Sequence, residues 1–199
     1  MRQERLQKTR EAILQSALDH FAVYGFEGAS IRAIAAKAGV NHGMIRHIYG
    51  GKDELWRQAV VYLFERARAE LTQDFDRKGL TDREAFIRGM RRYVHYCARH
   101  PEHARMMIQQ SIIAGPKLTW AAEELIRARH TVYLPLYERL KASGDLPDVD
   151  TSSLIFIISA ACQMTYVLAP EVQALTGRDP FAPEAVERHV DAVVKIFLR

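Results

Sequence analysis

The sequence predicts an all-α fold of about nine helices, a short three-helix head followed by a longer helical body. Three observations carry that prediction. Apolar residues recur at three- and four-residue intervals along most of the chain, no stretch alternates with the period of a strand, and glycine or proline stands at most breaks. With 199 residues, 48% of them hydrophobic and 26% charged, the chain can carry a small head on a larger body.

Over 7–24, Ile13, Leu14, Ala17, Leu18, Phe21 and Ala22 form one apolar stripe, and Gly25 can take the left-handed conformation that closes a helix. Ser30 offers a cap to a helix over 31–38, Gly39 breaks it, and Asn41 can cap the next, over 42–48. After Gly50-Gly51, Lys52 opens a long helix to about residue 76. Further helices are expected over 82–99, 102–114, 117–142, 151–168 and 184–198. Pro101, Pro116 and Pro183 sit at starts, where a missing N–H costs little. Pro135 lies inside the 117–142 pattern and should kink or split it. The division falls at residues 1–51 and 52–199.

Charge is unevenly placed. Residues 1–52 hold eight Lys/Arg against four Asp/Glu, while the remaining twenty of each sign cancel, so the whole excess of +4 lies in the head. A basic head on a neutral body is the footprint of an end that meets a polyanion. The longest apolar run, Leu154 to Ala169, is interrupted by Ser159, Gln163 and Thr165, so no membrane partner is expected. The polar residues at the start and two isolated cysteines, Cys97 and Cys162, suggest the cytoplasm.

The chemistry lies in 31–50. Two short helices crossing tightly need a small residue at the contact and a positive-φ residue in the turn, which Ala35 and Gly39 supply. Ile34, Ala38, Val40, Ile45 and Ile48 then share a core with the first stripe. The opposite side of helix 42–48 presents Asn41, His42, Gly43, Met44, Arg46 and His47, donors without an acid, suited to major-groove base edges and phosphates. Arg32 could hold the other side of the groove, Lys52 at a helix start is a phosphate candidate, and Arg2 and Arg5 could add contacts from an arm.

The run from Phe21 to Gly43 (FAVYGFEGASIRAIAAKAGVNHG), continued by Ile45, Tyr49, Lys52 and Leu55, resembles the N-terminal signature of the TetR family of transcriptional regulators. The resemblance is specific over 7–56 and rests on helix number and length beyond. It implies a three-helix helix-turn-helix DNA-binding head and a ligand-binding, dimerising body whose last two long helices form the subunit interface. There are departures. Arg46, His47 and Ile48 stand where relatives carry two aromatics and a histidine, so His47 takes the place of a phosphate-touching tyrosine. Asn41 and His42 replace the usual serine and lysine, so no operator sequence can be borrowed.

A homodimer matches a palindromic operator because two heads one helical turn apart combine their affinities. For its interface the apolar stripes offer Leu154, Ile158 and Cys162 on one helix and Val186, Val190 and Val194 on the other, unless both stripes face the chain's own core. Tyr62, Phe86, Met90, Tyr93, Met107, Gln110, Trp120, Tyr133 and Tyr137 are candidates to line a small-molecule pocket, although such side chains at helical spacing are more often core. His95, His100 and His103 straddle Pro101 without metal-site spacing, and no phosphate loop, nucleophile elbow or cysteine pair is present. No catalytic residue, metal or cofactor is expected. The sequence thus reads as a DNA-binding transcriptional regulator, a repressor released from a palindromic operator by an unidentified ligand. The alternative is a helical small-molecule-binding protein whose helix-turn-helix is only structural.

Overall fold

The computed structural model describes residues 2–73 and 76–199, the side chains of residues 2, 129 and 130 excepted. It is helical, with no strand among the described residues. In chain order the helices are α1 (Arg2–Gly28), α2 (Ile31–Lys37), α3 (His42–Tyr49), α4 (Lys52–Thr72), α5 (Asp82–Arg99), α6 (Pro101–Ile113), α7 (Pro116–Ala121), α8 (Arg127–Ala142), α9 (Thr151–Val167), α10 (Ala169–Thr176) and α11 (Pro183–Phe197). They gather into two compact units, Met1–Ala67 with Arg105–Ala121, and Arg68–Ala104 with Ala122–Arg199. No single described helix is long and apolar enough to cross a membrane.

The first unit is built on the stripe of α1. Ile13, Ala17, Leu18 and Phe21 are buried with Ile34 and Ala35 of α2, Ile45 and Tyr49 of α3, and Leu55, Trp56, Ala59, Val60 and Leu63 of α4. Burying such a set removes enough apolar surface to order three short helices that would not stand alone in water. Helix α1 differs from expectation at both ends. It begins at Arg2, so Arg5 lies in a helix and not in an arm, because residues 2–10 are good helix formers tied by a Gln7–Glu11 side-chain bond of 2.8 Å. The expected reach of the Arg2 side chain lies outside the described residues. At the other end Gly25, with φ 68° and ψ 178°, kinks the helix, which resumes to Gly28.

The second unit packs α5 against α8, α9 and α11. Thr81 and Glu84 close the start of α5 reciprocally, each side chain bonded to the other's backbone N–H. Asp150 caps α9 by accepting the Ser153 N–H at 2.7 Å. The expected helix 117–142 is broken, but not at Pro135, which lies within an unbroken α8 held by buried Leu136, Tyr137 and Leu140. The break is a π turn over Ala122–Ile126. Such a turn inserts a residue and shifts the phase of the helix faces, which a steady 3.6-residue count does not detect. The short α10 was not expected. The reach of α4 through residues 74 and 75 lies outside the described residues.

The dimer stripe requires a correction. Leu154, Ile158, Cys162, Val186 and Val190 are buried inside the protomer and Val194 is half-buried, so these residues build the chain's own core. Helix α9 is apolar on several sides, so periodicity alone could not choose which side faces inward. What α9 and α11 leave exposed is another set, with Phe156 at 67%, Ile157 at 54% and Ile196 at 74%.

Candidate nucleic-acid interface

The helix that would read DNA is held from beneath. Ser16, buried in α1, donates its hydroxyl to the Ile34 carbonyl at 2.9 Å and fixes α2 on α1. Helix α2 then ends at Gly39, whose φ of 69° lets its own N–H reach Ala36 O at 3.2 Å while the Val40 N–H reaches Ala35 O at 3.0 Å. These paired bonds reverse the chain within three residues. Ser30 precedes α2 without a side-chain cap bond, whereas Asn41 does cap α3, its Oδ1 accepting the Gly43 N–H at 2.8 Å. A Cβ on residue 43 would come to 3.2 Å from that oxygen, so Gly43 also keeps the cap open.

Ile45 and Tyr49 anchor α3 inward, while Ala38, Val40 and Ile48 are half-buried. Burial pushes the Tyr49 phenol above its ordinary value, with nearby Arg10 opposing, and its hydroxyl has no hydrogen-bond partner among the described residues. Arg32, Asn41, His42, Gly43, Met44, Arg46 and His47 are all exposed. The α3 members share its outward side, which carries no acid and closes at Gly50, φ 73°. Such a surface can donate to base edges and phosphates without repelling them. Lys52 is placed differently from the rest. It is half-buried, donates to the Glu27 carbonyl at 2.9 Å and lies 4.9 Å over the Phe26 ring. Lys37 is engaged as well, in a 2.6 Å ion pair with Asp19.

The nine pocket candidates divide between the units. Tyr62, Met107, Gln110 and Trp120 belong to the first unit, and Phe86, Met90, Tyr93, Tyr133 and Tyr137 to the second. Within the second group Phe86, Tyr133 and Tyr137 come together. Tyr137 stands edge-on to Phe86 at 5.9 Å and stacks with Tyr133 at 6.4 Å. The Tyr93 hydroxyl accepts from the Gln163 amide, and burial drives this phenol well above its ordinary value. Cys162 beside them is pushed up to about 12 by burial, which leaves it a neutral thiol. Sequence reasoning missed Gln163, although one amide in an apolar helix was a usable signal. Two surface hollows flank other residues. One of about 620 Å³ is lined by His95, Arg99, Phe181, Pro183 and Glu187 among others, and one of about 380 Å³ includes Trp120 alone of the nine.

The pattern describing bacterial regulatory proteins of the tetR family matches residues 13–59, and that of the tetracyclin repressor-like C-terminal domain matches residues 83–196. The chain is 26% identical over 172 residues to the HTH-type transcriptional regulator RutR of Escherichia coli strain K12, covering 84% of this chain and 78% of that one. It is 29% identical over 119 residues to the HTH-type transcriptional repressor NicS of Pseudomonas putida, covering 58% and 54%. The crystal structure of a TetR family transcription regulator from Marinobacter aquaeolei VT8 superposes with a TM-score of 0.69 at 18% identity, over 100% of this chain and 99% of that one.

Proposed function

The chain belongs to the TetR family of DNA-binding transcriptional regulators, and from that premise we propose a homodimeric repressor that a small molecule releases from a palindromic operator. Residues 1–51, joined by Lys52, contact DNA, and the rest of 52–199 binds ligand and pairs the subunits. One observation carries the reading: α3 is capped at Asn41, braced by Ile45 and Tyr49, and turns an exposed, acid-free side outward. Arg32, Asn41, His42, Gly43, Met44, Arg46 and His47 then meet the major groove and its phosphates, with Lys52 at the adjoining backbone. The buried Phe86 and Tyr137 rings, with half-buried Tyr93 and its Gln163 amide partner, support a site for a lipophilic ligand in the body. The exposed Phe156, Ile157 and Ile196 support pairing through α9 and α11. Ligand acts by favouring one spacing of the two heads over another, since it can shift only an equilibrium whose states it binds unequally.

Selection of bound duplexes from a random pool tests this directly. An inverted repeat with half-site centres roughly 34–36 Å apart, one turn of the duplex, is expected. Failure to enrich any sequence favours the alternative in which the helix-turn-helix only packs.

A further inference from the structure

Trp56 and Trp120, the chain's two tryptophans, meet edge to face at 5.9 Å in the unit formed by Met1–Ala67 and Arg105–Ala121. They wall the hollow of about 380 Å³, together with Asp53, Arg57, Pro116 and Lys117. Its polar groups are unevenly committed. The Asp53 carboxylate is taken by Lys117 at 2.7 Å, and Lys117 also lies 3.8 Å from the centre of the Phe26 ring. The Glu54 carboxylate accepts the Gln58 amide at 2.7 Å. Two donors are left over. The Trp56 side chain is 2% exposed, and its buried N–H meets no acceptor among the described residues. The Arg57 guanidinium lies 4.9 Å over the Trp120 ring, and no described carboxylate pairs with it.

Aromatic walls, two uncommitted donors and carboxylates that each already hold a donor describe a receptor short of one flat acceptor. We propose that this hollow binds a small aromatic carboxylate, its ring against Trp120 and its carboxylate toward Arg57 and the Trp56 N–H. A planar guanidinium matches a carboxylate in geometry as well as charge. A cationic ligand would meet Arg57 and Lys117, with Glu54 the one lining carboxylate that has no cation partner among the described residues. The site is separate from the Phe86, Tyr93 and Tyr137 cluster, so its failure would leave the regulator reading untouched.

Because the chain has no other tryptophan, its emission reports on this hollow. Titration of the whole protein with phenylacetate is expected to give a saturable change in tryptophan emission. Phenylacetamide and inorganic phosphate bind at least about tenfold more weakly, since one lacks the charge and the other the ring. Benzyltrimethylammonium gives no saturable change. Arg57 is exposed, so Arg57→Gln loses only the small melting-temperature increment of its ring contact while weakening phenylacetate binding about tenfold. Arg178→Gln, the same change at an exposed position in the other unit, leaves binding as it was. The proposal is overturned by no saturable change with phenylacetate, or by the amide, phosphate or ammonium probe binding as well. It is equally overturned by wild-type binding in Arg57→Gln, or by an equal loss in Arg178→Gln.

Discussion

The Asn41 side chain accepts the backbone N–H of Gly43 at 2.8 Å, so a residue proposed to meet DNA also caps the helix that presents it. Two variants separate these roles. Asn41→Ala loses the cap and is expected to cost about 1 kcal/mol of stability together with affinity. Asn41→Asp keeps a capping oxygen beside the positive end of the helix, so its melting temperature holds. Its carboxylate faces phosphate, however, and DNA affinity falls. Wild-type DNA binding by Asn41→Asp would remove Asn41 from the interface.

Lys52 is the DNA candidate that the structure already supplies with partners, the Glu27 carbonyl and the Phe26 ring. Lys52→Ala is expected to weaken operator and unrelated duplex by similar factors and to lower the salt slope of binding by about 1. The lost ring contact, worth about 0.5–1 kcal/mol at an exposed site, shows as a small drop in melting temperature. A drop in stability with an unaltered salt slope would confine Lys52 to holding the loop before α2.

The subunit surface is tested by contrasting exposed with buried apolar positions. Ile196 is 74% exposed, so Ile196→Glu is expected to fold normally yet sediment as a monomer. Leu154 is 1% exposed, and Leu154→Ala is expected to lose about 2–5 kcal/mol of stability from its own protomer. If Ile196→Glu sediments as a dimer, the pairing surface lies off this side of α11.

How much of this was legible depended on whether a local signal had a single meaning. The turn between α2 and α3 was readable because Gly39 and Asn41 each perform a task few residues can do. Tyr49 was harder. Its place four residues after Ile45 cannot by itself tell a phosphate contact from a core ring, and packing puts it inside with Ile45. In α9 the sequence names a buried helix without saying which of its apolar sides is deepest, so the stripe of Leu154, Ile158 and Cys162 could serve a partner or the chain's own core, and burial gives it to the core. The π turn at Ala122–Ile126 has no residue that demands it, whereas Pro135, the obvious breaker, is tolerated by the packing around it. The Trp56 hollow joins residues about sixty positions apart, which periodicity does not bring together.

His189 ties α11 to α9, its Nε2 lying 2.9 Å from the Ala161 carbonyl and its ring edge-on to Tyr166 at 5.6 Å. Burial lowers its pKa from the ordinary 6.5, against a smaller opposing effect of the Ala161 hydrogen bond. A histidine depressed in the folded state takes up its proton more readily when unfolded. Its contribution to stability is therefore whole above 6.5 and declines as pH falls through that value toward the folded pKa. His189→Gln retains a donor for Ala161 but cannot titrate. Melting curves of both proteins are expected to run parallel at neutral pH and above, with the wild type losing stability faster down to about pH 5. Because every other ionisable group is common to the two, a constant difference across that range would show that His189 does not change its protonation on unfolding there.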